Sequence, residues 1–226
     1  MLYKSALLTQ ASGSIGGITF SHNSGGMYVR ARTIPTDPNT PDQAVIRSAF
    51  GTLVQRWRET LTPFQRINWR SYAANVPIIN PLGDTIFISA QNHYIRSNVP
   101  RIQLVTPVID DAPGIFDTGN LSTVSITNIS EATQQLDVNF TDADLWNLAN
   151  GHLIVQQSAP QNLTVNFFRG PYRHLGSVNG VAATPVTLPL VIPAVAGQRL
   201  FFRLRATYPD GRLTQAQTPG PSTVIA

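Results

Sequence analysis

Residues 38–74 read PNTPDQAVIRSAFGTLVQRWRETLTPFQRINWRSYAA, and the same four-residue signal appears in them twice. Thr40-Pro41-Asp42-Gln43 and Thr62-Pro63-Phe64-Gln65 both spell T-P-x-Q. In each, the threonine can cap a helix, the proline supplies the first helical φ where no amide is needed, and the glutamine reaches back to the cap's own N–H. Two helices are therefore expected. In the first, Ile46, Phe50, Leu53 and Trp57 recur at helical spacing, with Val45, Ala49 and Val54 widening the apolar stripe. In the second, Trp69, Tyr72, Ala73 and Val76 do the same until Pro77 stops the helix. The short link at residues 59–61 folds the two into a hairpin. Their remaining faces carry Arg47, Arg56, Arg58, Arg66 and Arg70, read either as a solvated surface or as a contact surface for an acidic or neighbouring partner.

Outward from this pair the chain divides in character. Residues 1–102 hold ten basic and four acidic groups, net +6, and residues 103–226 hold six basic and eight acidic, net −2, which together give the overall +4. Of the sixteen basic residues only Lys4 is a lysine, and a nearly all-arginine inventory suits fixed interfaces or phosphate, because the guanidinium makes planar, bidentate contacts. Gly and Pro make up 33 of 226 residues while the apolar share is 42%, a turn-rich chain with enough hydrophobicity to fold. With no cysteine, disulfides, thiolate nucleophiles and thiolate metal sites are excluded. No apolar run approaches a membrane span, and Ala6-Leu7-Leu8 is too short for a signal-peptide core, so neither membrane insertion nor export is expected.

Before the helices, residues 1–14 read as an extended arm that orders only against another surface. Residues 18–20 and 27–32 then suit a β-hairpin, with Asn23, Gly25 and Gly26 supplying the turn. On its second strand Tyr28, Arg30 and Arg32 share one face, a pattern fit for a partner's carboxylates or, alternatively, for nucleic-acid phosphates and bases. The surrounding glycines do not form a phosphate loop, since no lysine follows them and the next residues read as strand. Residues 34–41 are a proline-stiffened connector. After the helix pair, a turn at residues 80–84 and a short strand at 85–88 lead to a third helix, capped by Ser89 and closed by Pro100.

Over about the first 100 residues the chain resembles a group of proteins found among the virion structural genes of tailed bacteriophages and prophages. Carrying the resemblance are Gly13, Gly16, Gly17, Asn23, Gly25, Gly26, Tyr28, Arg30, Pro38, Asn39, Thr40, Gln43, Arg47, Phe50, Trp57, Leu61, Thr62, Gln65, Trp69 and Ala73. The group brings no catalytic motif to transfer. What the resemblance implies is a structural component of a phage particle, assembled in the host cytoplasm, with the major capsid protein or other virion proteins as partners and copies of itself as neighbours.

Beyond residue 103 the period changes. LSTVSITNI, QQLDVNFTD, HLIVQQSA, LTVNFFRG, VTLPLVI and RLFFRLRATY are short β-type runs parted by Gly, Pro, Asn or Asp clusters. In the last, Leu200, Phe202, Leu204 and Ala206 alternate with Phe201, Arg203, Arg205 and Thr207, one face in and one out. Pro209-Asp210-Gly211 turns the chain into LTQAQT. The count and spacing suit an immunoglobulin-like or fibronectin type III-like sandwich, and RLFFRLRATYPDGRLTQAQT resembles the final hairpin of fibronectin type III modules. The expected fold class is thus α+β in three parts: an arm and β-hairpin (1–37), a small helical domain (38–102) and an all-β sandwich (103–226).

No constellation announces catalysis, a cofactor or a metal. His22, His93, His152 and His174 are dispersed, and no nucleophile elbow is present. His93 and Arg96 read as structural, and Asp142 with Asp144 as a loop cap rather than a calcium site. The expectation is a non-enzymatic structural protein, a capsid decoration (cement) protein first, with a head–tail connector or tail component as the alternative. A second alternative is nucleic-acid binding through the arginine-rich half. A third is a carbohydrate or host-surface adhesin built on the C-terminal sandwich, using the loop aromatics Trp146, Tyr172 and Tyr208.

Overall fold

A computed structural model describes residues 11–23, 26–34, 36–37, 39–79 and 84–226. Residues 1–10 of the expected arm (1–14), the hairpin loop at 24–25 and most of the expected turn at 80–84 lie outside the described residues, and the last two residues of that arm belong to a strand. Contacts divide the chain into two units, residues 1–41 and 42–226, so the helical and β-rich segments that differ in charge fall within one unit. The class is α+β, with three helices and antiparallel sheets.

The first unit contains strands β1 (Gly13–Ile15), β2 (Ile18–Asn23) and β3 (Gly26–Ala31), in the order β1-β2-β3. The expected hairpin is present and gains a third strand. Gly16, at φ +57°, lets the chain reverse between β1 and β2. Thr19 faces Arg30 and Ser21 faces Tyr28, while Ser14 and Thr19 join hydroxyls at 2.8 Å. No described side chain of this unit is buried, and Ile15 (77% exposed) and Ile18 (46%) stand in solvent.

The second unit opens with α1 (Pro41–Glu59) and α2 (Pro63–Asn75). At α2 the expected capping box forms: Gln65 N–H donates to Thr62 Oγ1 at 3.2 Å, and Thr62 N–H donates to Gln65 Oε1 at 2.9 Å. β4 (Ile78–Ile79) and β5 (Thr85–Ile86) pair before α3 (Ala90–Gln103), which Ser89 caps by accepting from Asn92 N–H. Contrary to expectation α3 does not stop at Pro100 but carries it in its last turn, where a proline forfeits only one late helical bond; Leu104 N–H still reaches the Pro100 carbonyl at 3.0 Å.

Leu53, Leu61, Trp69, Tyr72, Val76, Tyr94 and Ile95 make the helical core. Trp69 meets Tyr72 and Tyr94 edge to face at 5.7 and 5.6 Å. Its indole N–H reaches the Asp110 carbonyl at 2.8 Å and the Tyr72 hydroxyl the Asp117 carbonyl at 2.7 Å, so the large rings are buried with their polar tips satisfied. The apolar stripe of α1 is only half used. Ala49 and Leu53 are buried and Val54 and Trp57 pack beside them, whereas Val45 (46% exposed), Ile46 (36%) and Phe50 (51%) face solvent because the first two turns of α1 run past the helical core.

The β-rich part holds β6 (Ser125–Ser130), β7 (Gln135–Asn139), β8 (His152–Gln157), β9 (Arg173–Asn179), β10 (Val186–Pro189), β11 (Arg199–Leu200), β12 (Phe202–Thr207) and β13 (Ser222–Thr223). Two three-stranded sheets, β10-β7-β6 and β12-β8-β9, contribute Ile129, Leu136, Val138, Leu153, Val155, Phe202 and Leu204 to one buried cluster. The run LTVNFFRG is not a strand; the chain joins the sheet later, at β9, whose pairing with β8 shifts register between Val155 and Gln156. LTQAQT likewise forms no strand and meets β12 through the bridges Thr207–Leu213 and Leu204–Gln217 and the bonds between Thr214 and Ala206. The intervening turn forms as expected, with Gly211 at φ +92° and its N–H on the Tyr208 carbonyl at 3.0 Å. Arg101, 2% exposed, joins helix to sheets: its guanidinium reaches the carbonyls of Pro107 (2.7 Å), Asn150 (3.3 Å) and Tyr208 (3.3 Å). Among the described residues no helix is long and apolar enough to cross a membrane.

Candidate functional site

The helix hairpin brings three of the expected contact arginines together. Arg58 at the end of α1 and Arg66 and Arg70 on α2 surround a groove of about 510 Å³ with Trp57, Pro63 and Ile67. Arg66 is fixed: its Nη1 donates to the carbonyls of Trp57 and Arg58, each at 3.3 Å, so a cation closes the carbonyl end of α1, where the helix dipole favours it. Arg58 and Arg70 are exposed and meet no acidic group among the described residues. Beside them Phe64 is 69% exposed and Ile67 55%. A basic groove rimmed by solvent-facing apolar side chains is suited to an acidic segment that also carries hydrophobic groups. The sequence marks these residues through the second T-P-x-Q signal, since its proline sets the helix start and thereby turns Phe64 and Ile67 away from the core.

Arg56 is engaged within the fold. It makes a bidentate pair with Asp110, Nε to Oδ1 at 2.7 Å and Nη2 to Oδ2 at 2.6 Å, and the Tyr94 hydroxyl adds a bond to Asp110 Oδ1 at 3.0 Å. The Arg56 fork holds the Asp110 carboxyl below the usual carboxylate range, and the pairing raises the guanidinium in turn. Arg47 is exposed on α1 near Ile46. In the first unit Arg30 is exposed and Tyr28 half-buried on β3, while Arg32 lies just past the strand with its N–H on the Gly17 carbonyl at 2.8 Å. The eight expected contact residues are thus distributed as one cluster of three, one internal strut, one on the open stretch of α1, and three on or beside the small sheet.

Two of the three aromatics expected for a glycan site are unavailable to a ligand. Trp146 is fully buried, its indole N–H on Asp144 Oδ2 at 3.2 Å, and Tyr208 is 3% exposed, its hydroxyl between the N–H and carbonyl of Asn120. Asp144 also accepts from the N–H and hydroxyl of Ser122, at 3.0 and 2.5 Å, so it ties loops together as expected. Tyr172 does stand at a groove, together with Phe168 and Phe201, whose rings stack 5.7 Å apart at 19°.

Among the described residues no cluster of His, Asp and Glu could hold a metal ion. His93 is buried against Tyr72, at 5.2 Å, with Nε2 on the Val76 carbonyl at 3.2 Å. His152 bonds Asn179 Oδ1 at 3.1 Å. Neither protein-family models nor curated proteins yield a match to the chain.

Proposed function

We propose that the chain is a structural protein of a bacteriophage virion, a capsid decoration (cement) protein that works by contact with the major capsid protein and with copies of itself. In this reading the β-rich part is an immunoglobulin-like sandwich that covers or spaces the surface it is anchored to. The observation that carries the reading is the small sheet at residues 13–31, in which no described side chain is buried. Three short strands with both faces wet gain little from their own packing, and a sheet of this kind is made stable by what it is laid against. The basic, apolar-rimmed groove at Arg58, Arg66 and Arg70 offers a second contact of the same sort, as do Val45, Ile46 and Phe50 on the open stretch of α1. The likeness of the first 100 residues to virion structural proteins supplies the setting.

The test is co-sedimentation with purified particles, followed by separation of emptied heads from tails. The chain is expected to sediment with particles and to remain on the heads. Recovery on tails would replace the decoration role with the connector or tail role, and absence from particles would remove the virion reading altogether.

A further inference from the structure

The face of the β12-β8-β9 sheet turned away from the buried cluster carries chemistry that the fold does not use up. Antiparallel register sets Thr207 opposite His152, Arg205 opposite Ile154 and Arg203 opposite Gln156. With a side-chain period of two, Arg203, Arg205 and Thr207 lie along one face. α3 reaches this strand. Arg96 Nη2 donates to the Thr214 carbonyl at 3.1 Å, and Thr214 is itself doubly bonded to Ala206, at 3.0 and 2.9 Å. Arg96 is thereby pinned at the level of Ala206, the residue between Arg205 and Thr207.

Three buried polar atoms on this face have no partner: Arg205 Nε, Thr207 Oγ1 and His152 Nε2. Thr207 is 0% exposed and His152 8%. Interiors leave few such atoms unmet, and here three fall on two neighbouring strands. The charges point the same way. Arg96, Arg203 and Arg205 form no ion pair among the described residues. Burial, then Arg203 and Arg96, push the Arg205 guanidinium down to about 10, with no carboxylate opposing them. Asp210, whose field reaches Arg101, is committed to Arg212 at 2.7 Å. A water molecule can satisfy the Thr207 hydroxyl but leaves the guanidiniums uncompensated; an oxyanion answers both.

We propose that this face is a binding site for a phosphate-class oxyanion, held between Arg205 and Arg96 with the Thr207 hydroxyl as a further donor. With its Nδ1–H given to Asn179, neutral His152 presents a bare Nε2, which the P–OH of a monohydrogen phosphate matches. Arg203 is also a wall of the groove of about 710 Å³ at Phe168, Tyr172 and Phe201, so the face opens to solvent at that end.

The experiment is thermal unfolding of the full chain against inorganic phosphate, with chloride holding the ionic strength constant, in the wild type, Arg205→Met and the exposed control Arg173→Gln. A saturable rise in the midpoint is expected in the wild type and in Arg173→Gln. At ten times its Kd the ligand multiplies the folded-to-unfolded ratio elevenfold, which is about 3–6 °C for a chain of this size. Arg205→Met is expected to lose the rise and, without phosphate, to melt no lower than the wild type, because it removes an uncompensated charge. No saturable rise in the wild type, or an equal rise in Arg205→Met, overturns the proposal; a general salt effect acts on every variant alike. Calorimetric titration of the near-isosteric Thr207→Val with phosphate is the second measurement, with a Kd raised about fivefold or more expected and an unchanged Kd counting against the site.

Discussion

Asp110 is the residue on which the helical core's polar groups converge. Its side chain takes Arg56 and Tyr94 and its backbone takes Trp69, so one position answers three side chains that begin 16 to 54 residues away. Asp110→Ala would leave a buried tyrosine hydroxyl and a half-buried guanidinium unmet, and a loss of about 2 kcal/mol in urea unfolding is expected. Arg56→Met leaves the tyrosine bond in place and is expected to cost about half as much. His93 sets a pH dependence of its own. Burial first, and the Arg96 cation second, lower its imidazole from the ordinary 6.5 to about 4. A histidine depressed in the folded state contributes stability that is complete above pH 6.5 and is lost as pH falls toward 4, because only the unfolded chain takes up the proton in that window. That contribution is worth ~3 kcal/mol across the window. His93→Gln, which can still donate to the Val76 carbonyl, is expected to flatten the urea midpoint between pH 6.5 and 4 by about one proton's worth of slope.

At the scale of elements, the clearest local device is the box at the start of α2. Thr62→Ala removes the acceptor for Gln65 N–H and is expected to cost about 1 kcal/mol, measured as a shift in the urea midpoint with unchanged m-value. Gln65→Ala should cost at least as much, since the same side chain also bonds Asp111 at 2.9 Å. This element was legible in the sequence because everything it needs lies within four residues. The stripe of α1 was legible as a helix but not as a core: periodicity reports which residues share a face, and only the neighbouring elements decide how much of that face is covered. β9 shows the converse. Its run RHLGSVN has a glycine and no clean alternation, because the register shift opposite Gln156 puts Leu175 and Val178 inward three places apart, while the more strand-like LTVNFFRG nearby stays outside the sheets. Trp146 and Tyr208 lie in turn-rich stretches and so read as exposed, yet Asp144 and Asn120 supply the polar partners that allow their burial. The Arg58–Arg66–Arg70 cluster follows from the predicted hairpin; the Arg96–Arg205 juxtaposition does not, because residues 109 positions apart meet only through the tertiary fold.

For the molecule as a whole, the division after Pro41 separates a part in which no described side chain is buried from one with two cores. Removing residues 1–37 is therefore expected to leave the urea midpoint of the remainder within about 0.5 kcal/mol of the full chain, while abolishing co-sedimentation with particles; a large loss of stability would show that the small sheet packs on its own chain. The helical and β-rich parts differ in charge but belong to one compact unit. Arg101 takes carbonyls from three separated stretches, and Arg101→Met, which strands all three, is expected to cost about 3 kcal/mol and to lower a single calorimetric transition rather than split it into two. The same guanidinium sets a rule for recombination. A chimera spliced at residue 103 would inherit either the side chain without its carbonyls or the carbonyls without their cation. Descendants of this chain that trade one half for a foreign one must therefore bring a substitute for that contact or lose the seam.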